Sequence, residues 1–259
     1  MPELPEVETL CRQLKQTIMG SVIEELVILD NKLNGPENLA GLRVRSVERR
    51  GKFLLIHLDQ DRTLHLHLRM TGRLLWHGHA DGLPAHSRFM IRFHHGRLIC
   101  IDPRRFATLA LDDPKDRKAL VPDPLKSINA LKLCKAAQGR QAPVKSFLLN
   151  QAVVAGIGNI YACEMLHEAA ISPWRRTGSL SPAEWRKIAS AGRTILRHAT
   201  ECRGTSISDW RDLYGEKGRY QLYLKVYGRK GLPCARCGEK IQRISIGGRG
   251  TYYCAACQQ

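Results

Sequence analysis

Met1-Pro2-Glu3-Leu4-Pro5-Glu6-Val7-Glu8 opens the chain, and its reading decides how the rest is understood. As local structure it starts a helix. Pro2 and Pro5 suit a first turn, where a missing N–H costs nothing, and Glu3, Glu6 and Glu8 complement the positive end of the helix dipole. Val7, Leu10, Leu14 and Ile18 then recur at helical spacing, and Gly20 closes the element. As chemistry the same residues offer a nucleophile. Removal of Met1 would leave a secondary amine at Pro2 beside Glu3, and an α-amino group has a reference pKa of about 7.7 to 8.0, against about 10.4 for lysine. Such an amine condenses with a sugar aldehyde to an iminium, which is covalent catalysis with an electron sink at the former C1′. Taken alone, this stretch is more simply a plain helix start, and the remainder of the chain tips the reading toward a nucleophile.

The surrounding chain narrows the partner. Its 259 residues allow one large domain or two small ones, and 41 Lys+Arg against 24 Asp+Glu give a formal charge of +17. Such an excess points to a polyanion, because neutralising phosphates releases their counterions. No apolar run approaches the ~20 residues of a membrane span, and the acidic, proline-bearing start is unlike a signal peptide, so a cytosolic protein is expected. Five of the nine cysteines, Cys11, Cys100, Cys134, Cys163 and Cys202, are scattered, which argues against a disulfide framework.

Residues 21–29, 43–47, 53–58, 63–68, 88–93 and 98–101 are short β-prone runs parted by turns such as Asn34-Gly35 and His95-Gly96, a spacing that predicts a sandwich or barrel. From about Asp112 the pattern changes to a charged linker bearing Pro114, Pro122 and Pro124. Helices are then expected over 144–150 and 159–169, around the turn Val154-Ala155-Gly156-Ile157-Gly158, with a longer one opened by the capping-box pattern Ser181-Pro182-Ala183-Glu184. Residues 215–219 read as a mobile basic loop, and 220–227 as a strand leading into a cysteine cluster.

That cluster is Cys234-x2-Cys237, sixteen residues, then Cys254-x2-Cys257. Two such knuckles supply the four thiolates of a tetrahedral zinc site, and with no open position the single Zn2+ should be structural. Between the knuckles, a glycine-rich hairpin tip offers Arg249 either to solvent or to a phosphate. Arg43, Arg45, Arg49 and Arg50 read mainly as a solvated charged face, while Lys52, following Gly51, stands out as placed for close approach. Asp102-Pro103-Arg104-Arg105-Phe106 is a rigid turn with two cations and an aromatic, and Met70 lies in a second such turn. Side chains of this kind wedge into DNA stacks, although as isolated residues Met70 and Phe106 more often belong to an apolar core. The turn before Asn159 suits a phosphate at a helix start, with Asn159 as cap or donor.

The opening octapeptide, Asp102-Pro103-Arg104-Arg105-Phe106, Gly156-Ile157-Gly158-Asn159-Ile160-Tyr161, Val226-Tyr227-Gly228-Arg229 and the four-cysteine cluster occur in order over nearly the whole length. Together they resemble the formamidopyrimidine-DNA glycosylase family, which also holds endonuclease VIII. The resemblance implies an α+β protein with an N-terminal helix on a β-sandwich, a helical helix-two-turn-helix domain and a C-terminal β-hairpin zinc finger. The expected divisions are 1–111, 112–225 and 226–259. It implies a monomeric bacterial base-excision repair enzyme, cytoplasmic and associated with the nucleoid through DNA. The enzyme would be a glycosylase for oxidised purines such as 8-oxoguanine and formamidopyrimidines, and a lyase by β,δ-elimination at the abasic site.

Carried over one residue at a time, Pro2 would form the Schiff base and Glu3 would be the acid/base beside it. Lys52 would match the proton donor of β-elimination and Arg249 the finger arginine of δ-elimination, with plain phosphate binding as the alternative for both. Met70, Arg104 and Phe106 match residues that fill the gap left by a flipped nucleotide; His86, Asn159 and Tyr227 match DNA-backbone contacts, and Lys145 a further basic contact. Residues 215–219 fall where the family has its lid. The chain departs from the pattern at Arg69, where glycine is usual, at His86-Ser87-Arg88, at Ala107, at Gln141 and at Asn150-Gln151, which bears on lesion and opposite-base preference. Two other readings stand beside this one. One is an endonuclease VIII-like glycosylase for oxidised pyrimidines, disfavoured by Leu4; the other is a non-catalytic damaged-DNA-binding zinc protein, which would have no need of the Pro2-Glu3 pair.

Overall fold

Helical spacing at the start of the chain becomes α1 (Leu4–Ile18), whose Val7, Leu10, Cys11, Leu14 and Ile18 are buried along one face. The computed structural model describes residues 2–33, 38–79, 82–112 and 123–259. Met1, the expected turn at Asn34-Gly35 and the linker prolines Pro114 and Pro122 lie outside them. Glu3 is the N-cap, and its N–H donates to Glu6 Oε2 at 2.7 Å, one half of a capping box. Gly20, at φ +82°, takes the left-handed turn that follows the helix.

The strands that follow are β1 (Ile23–Ile28), β2 (Val44–Arg50), β3 (Phe53–Leu58), β4 (Thr63–His67), β5 (Arg73–His77), β6 (Ser87–Phe93), β7 (Gly96–Ile101) and β8 (Thr108–Asp112). They form two antiparallel four-stranded sheets, ordered β1-β6-β7-β5 and β2-β3-β4-β8. Inward residues of both sheets, such as Leu54, Ile56, Leu66, Phe89 and Phe93, share one core with the apolar face of α1, the sandwich that the strand spacing predicts. β5 and β8 were not expected. Both are five residues long; β5 has only Leu74 buried, and β8 alternates only briefly, with Leu109 buried between exposed Thr108 and Ala110.

The chain divides into two compact units, the first comprising Met1–Ala119 and Cys202–Arg219, the second Leu120–Glu201 and Tyr220–Gln259. Trp210 and Leu213 account for the return of the chain to the first unit: both are buried in the sandwich core, and Trp76 N–H donates to Leu213 C=O at 2.8 Å. Residues 215–219, expected to be a mobile loop, are tied down there. Asp212 Oδ1 accepts from the N–H of Tyr214 and Glu216, and Gly218 N–H donates to Ser206 Oγ.

The second unit holds α2 (Ala130–Ala137), α3 (Val144–Leu148), α4 (Asn159–Glu168), α5 (Pro182–Glu201) and the hairpin β9 (Gln242–Ile246) with β10 (Arg249–Tyr253). Ser181 and Glu184 form the expected capping box, each side chain accepting from the other's N–H. α4 and α5 approach closely at Gly192, where an added Cβ would stand 2.7 Å from Met165 Cε. Residues 220–227 are not a strand: Tyr220–Tyr223 is a 3-10 turn. The buried Glu164 carboxylate accepts the N–H groups of Lys225, Val226 and Tyr227 at 2.8 to 3.0 Å, so a side chain takes the donors that a sheet ladder would need.

Candidate nucleic-acid interface and metal centre

In the first unit the start of α1 is fixed from beneath. Pro2 and Glu3 are buried, and the buried Glu6 carboxylate accepts from Glu3 N–H and, through Oε1, from Thr205 N–H at 2.7 Å. Gly204 makes this approach possible, since a Cβ there would lie 2.6 Å from Glu6 Oε1. A buried carboxylate that accepts these two backbone donors thus fixes the backbone at the start of α1, where Glu3 follows Pro2. Lys52 is buried and follows Gly51, which sits at φ +59° in the β2–β3 turn. Arg49 is not part of a solvated face: its nearly inaccessible guanidinium pairs with Glu8 at 2.8 Å and donates to Gly51 C=O, joining α1 to that turn.

His67 joins this group although nothing in the sequence singled it out. Its ring packs edge-on against Phe53 at 4.5 Å, and burial, with the charges of Arg69 and Lys52, pushes its pKa down to about 4. The alternation that places His65 and His67 on one face of β4 was the available signal.

Met70 and Phe106 are not core residues, since each is 48% exposed. Arg104 lies over the Phe106 ring at 4.8 Å and its Nη1 is 3.5 Å from Met70 Sδ, so three exposed side chains from two loops form one cluster. His86, also exposed, has φ +63°. Arg69 has φ +55°, the left-handed backbone that explains why glycine suits this position.

In the second unit Asn159 starts α4, and its Nδ2 donates to Gly250 C=O at 2.9 Å and toward Tyr227 Oη at 3.5 Å. Its Oδ1 is buried without a hydrogen-bond partner among the described residues. The Tyr227 ring packs against Tyr252 at 4.9 Å. Lys145 is 0% exposed; Nζ donates to Thr251 Oγ1 at 2.6 Å and Gly250 C=O at 3.3 Å, so its charge is directed into the hairpin. Arg249 is exposed next to the Gly247-Gly248 turn, whose φ values of +56° and +71° need glycine. Gln151 braces the turn before α4, accepting Gly156 N–H and donating to Ile157 C=O.

The Sγ atoms of Cys234, Cys237, Cys254 and Cys257 all lie within 4.8 Å of one another, with Cys234–Cys257 at 3.9 Å and Cys237–Cys254 at 3.5 Å. Tetrahedral zinc with ~2.3 Å bonds requires sulfurs about 3.8 Å apart, so the donor set fits, and these four thiolates hold a structural zinc ion. Burial opposes ionisation of Cys234, but the N–H groups of Arg236 and Cys237 bring its pKa down to about 7. The thiol of Cys11 is pushed up to about 11, chiefly by burial, as befits a packing residue. Among the described residues no helix is long and apolar enough to cross a membrane.

Comparison with known proteins matches residues 1–109 to the formamidopyrimidine-DNA glycosylase N-terminal domain, 120–210 to the formamidopyrimidine-DNA glycosylase H2TH domain and 231–259 to the zinc finger found in FPG and IleRS. Formamidopyrimidine-DNA glycosylases of Pelotomaculum thermopropionicum and Desulfitobacterium hafniense are 40% and 39% identical, over 100% of this chain and 99% and 100% of theirs. The Lactococcus lactis protein in complex with abasic-site DNA superposes with a TM-score of 0.93 at 32% identity, covering 99% of both chains. A mutant of it bound to DNA containing Fapy-dG gives 0.93 at 32% identity over 100% of both.

Proposed function

This chain belongs to the formamidopyrimidine-DNA glycosylase family, and we propose that it excises oxidised purines, 8-oxoguanine and formamidopyrimidines, from duplex DNA by covalent catalysis at Pro2. It is a DNA glycosylase of base-excision repair, with DNA as its partner. The observation that carries the covalent step is the buried Pro2-Glu3 start, oriented by Glu6. With Met1 removed, the Pro2 nitrogen bonds to C1′ while Glu3 protonates O4′ of the opening sugar. The base leaves with the proton shed by the amine, and the iminium remains. That iminium acidifies the C2′ proton, so elimination expels the 3′ phosphate and then the 5′ phosphate.

Lys52 and Arg249 serve these two eliminations as proton donor and phosphate partner. Met70, Arg104 and Phe106 occupy the gap left by the extruded nucleotide, which their shared exposure supports; His86, Asn159 and Tyr227 hold DNA phosphates, and Lys145 acts on DNA through the hairpin it braces. Zinc supplies folding rather than chemistry. The three functional parts are 1–111, 112–225 and 226–259, acting as a monomer in the bacterial cytoplasm. Borohydride trapping on 8-oxoguanine and oxidised-pyrimidine duplexes tests the reading. Wild type should trap the purine duplex and Pro2→Gly should lose the adduct completely while still binding DNA. A pyrimidine-only adduct would move the activity to the endonuclease VIII type, and no adduct from Met1-processed, zinc-loaded protein would leave a DNA-binding module.

A further inference from the structure

Met70, His86, Arg104 and Phe106 come from three separate loops of the first unit, and nothing in their own side chains aligns all three. Asp102 does. It is 0% exposed, and its Oδ1 accepts the Thr71 hydroxyl at 2.5 Å and Arg104 N–H at 3.2 Å. Oδ2 accepts the N–H groups of Phe106 and Ala107, both at 2.7 Å. The Asp102 N–H donates to His86 C=O at 3.0 Å, and its C=O accepts from Arg105 N–H at 3.0 Å. One buried residue thus touches the loop of Met70, the loop of His86 and the turn of Arg104 and Phe106.

The charge is balanced locally. Arg88 lies 3.9 Å from Asp102 and 2.5 Å from the buried Asp30, which also pairs with Arg105 of the turn. Burial alone would raise the Asp102 pKa, but the Thr71 hydroxyl and the three backbone donors hold it below the usual carboxylate value. Arg105 sits at φ +60°, a backbone cost that its pairing with Asp30 offsets.

We infer that Asp102 is the positioning residue of the gap-filling side chains, and that the Thr71–Asp102 hydrogen bond couples the Met70 loop to the Arg104–Phe106 turn so that both enter the stack together. Unstacking a base step is costly, so a wedge that must first find its place loses part of what insertion gains. Three backbone N–H groups hold the turn on Asp102 by itself; the bond across to the other loop comes from the Thr71 hydroxyl. The inference rests on the function proposed above, and the test separates the two.

Thr71→Val, Thr71→Ser and wild type would be compared on two substrates. One is a single-stranded abasic oligonucleotide, which has no partner strand to displace, and the other is an 8-oxoguanine duplex opposite each of the four bases. Thr71→Val should trap the single strand as wild type does. On the duplex its kcat should fall by about tenfold to a hundredfold, the scale of an ångström misplacement, with KM changing less and opposite-base preference narrowing. Thr71→Ser should restore both. Asp102→Asn, which turns an amide toward backbone donors, should fall further on the duplex. A Thr71→Val enzyme equal to wild type on the duplex, or impaired equally on both substrates, overturns the coupling. Failure of wild type to trap even the single strand overturns the proposed function, and the inference with it.

Discussion

The start of α1 and the tip of the β9–β10 hairpin carry Pro2 and Arg249, to which the proposed function gives roles, and they are held by opposite means. Beneath Pro2 lie a buried carboxylate and a core drawing on the helix and both sheets. Beneath Arg249 lie two short strands and a small cluster, Cys163, Val226, Cys234, Ile241 and Cys254. A lone two-stranded hairpin buries too little apolar surface to hold a geometry, so bonds to a metal substitute for area. Where the core is wide, hydrogen bonding alone can aim a residue; where it is narrow, coordination must.

Removal of zinc is the largest break of this contrast. Structural zinc binding carries about 10–16 kcal/mol of apparent free energy, which here is folding energy of the hairpin. Chelation or Cys237→Ser should abolish amide-exchange protection in β9 and β10 and leave β2 and β3 protected; equal loss in both places would show that the metal supports the whole chain. Glu6→Ala probes the other side. It removes the acceptor that Glu6 offers to the N–H groups of Glu3 and Thr205, at about 1–3 kcal/mol each. Chemical denaturation of the first unit should register that loss while hairpin exchange stays unchanged, and an unaltered midpoint would refute the role given to Glu6.

A smaller effect sharpens the electrostatic side. Because burial and the charges of Arg69 and Lys52 lower His67 to about 4, its neutral form contributes stability that is fully present above the ordinary histidine value of about 6.5. That contribution is lost progressively as pH falls toward 4. In the free protein the His67 ring resonances should titrate near 4, and a midpoint at 6 or above would contradict the packing described. The smallest effect is Arg69→Gly, which relieves a left-handed backbone by about 1 kcal/mol and should raise the melting temperature slightly.

The features legible in the sequence were those written in short spacings. α1, the strand β3 and the paired CxxC knuckles each depend on residues within one element or one hairpin, and they appear where the spacing puts them. The strand expected at 220–227 failed for a reason of the same kind reversed: its alternation is real, but Glu164, more than sixty positions away, claims its donors. Arg49 looked like surface because its partner Glu8 is 41 positions distant.

By itself the sequence determined that Pro2 stands next to the Glu3 carboxylate, which four cysteines hold the metal, and which residues are proposed to meet DNA, because each follows from covalent order and local periodicity. Tertiary structure decided what orients them. Thr205 reaches Glu6 across 199 positions and Thr71 reaches Asp102 across 31, and no local pattern marks either pairing. Such contacts depend on strand register and on where a returning segment packs, and these are set by burial of the common core rather than by any stretch of chain read alone.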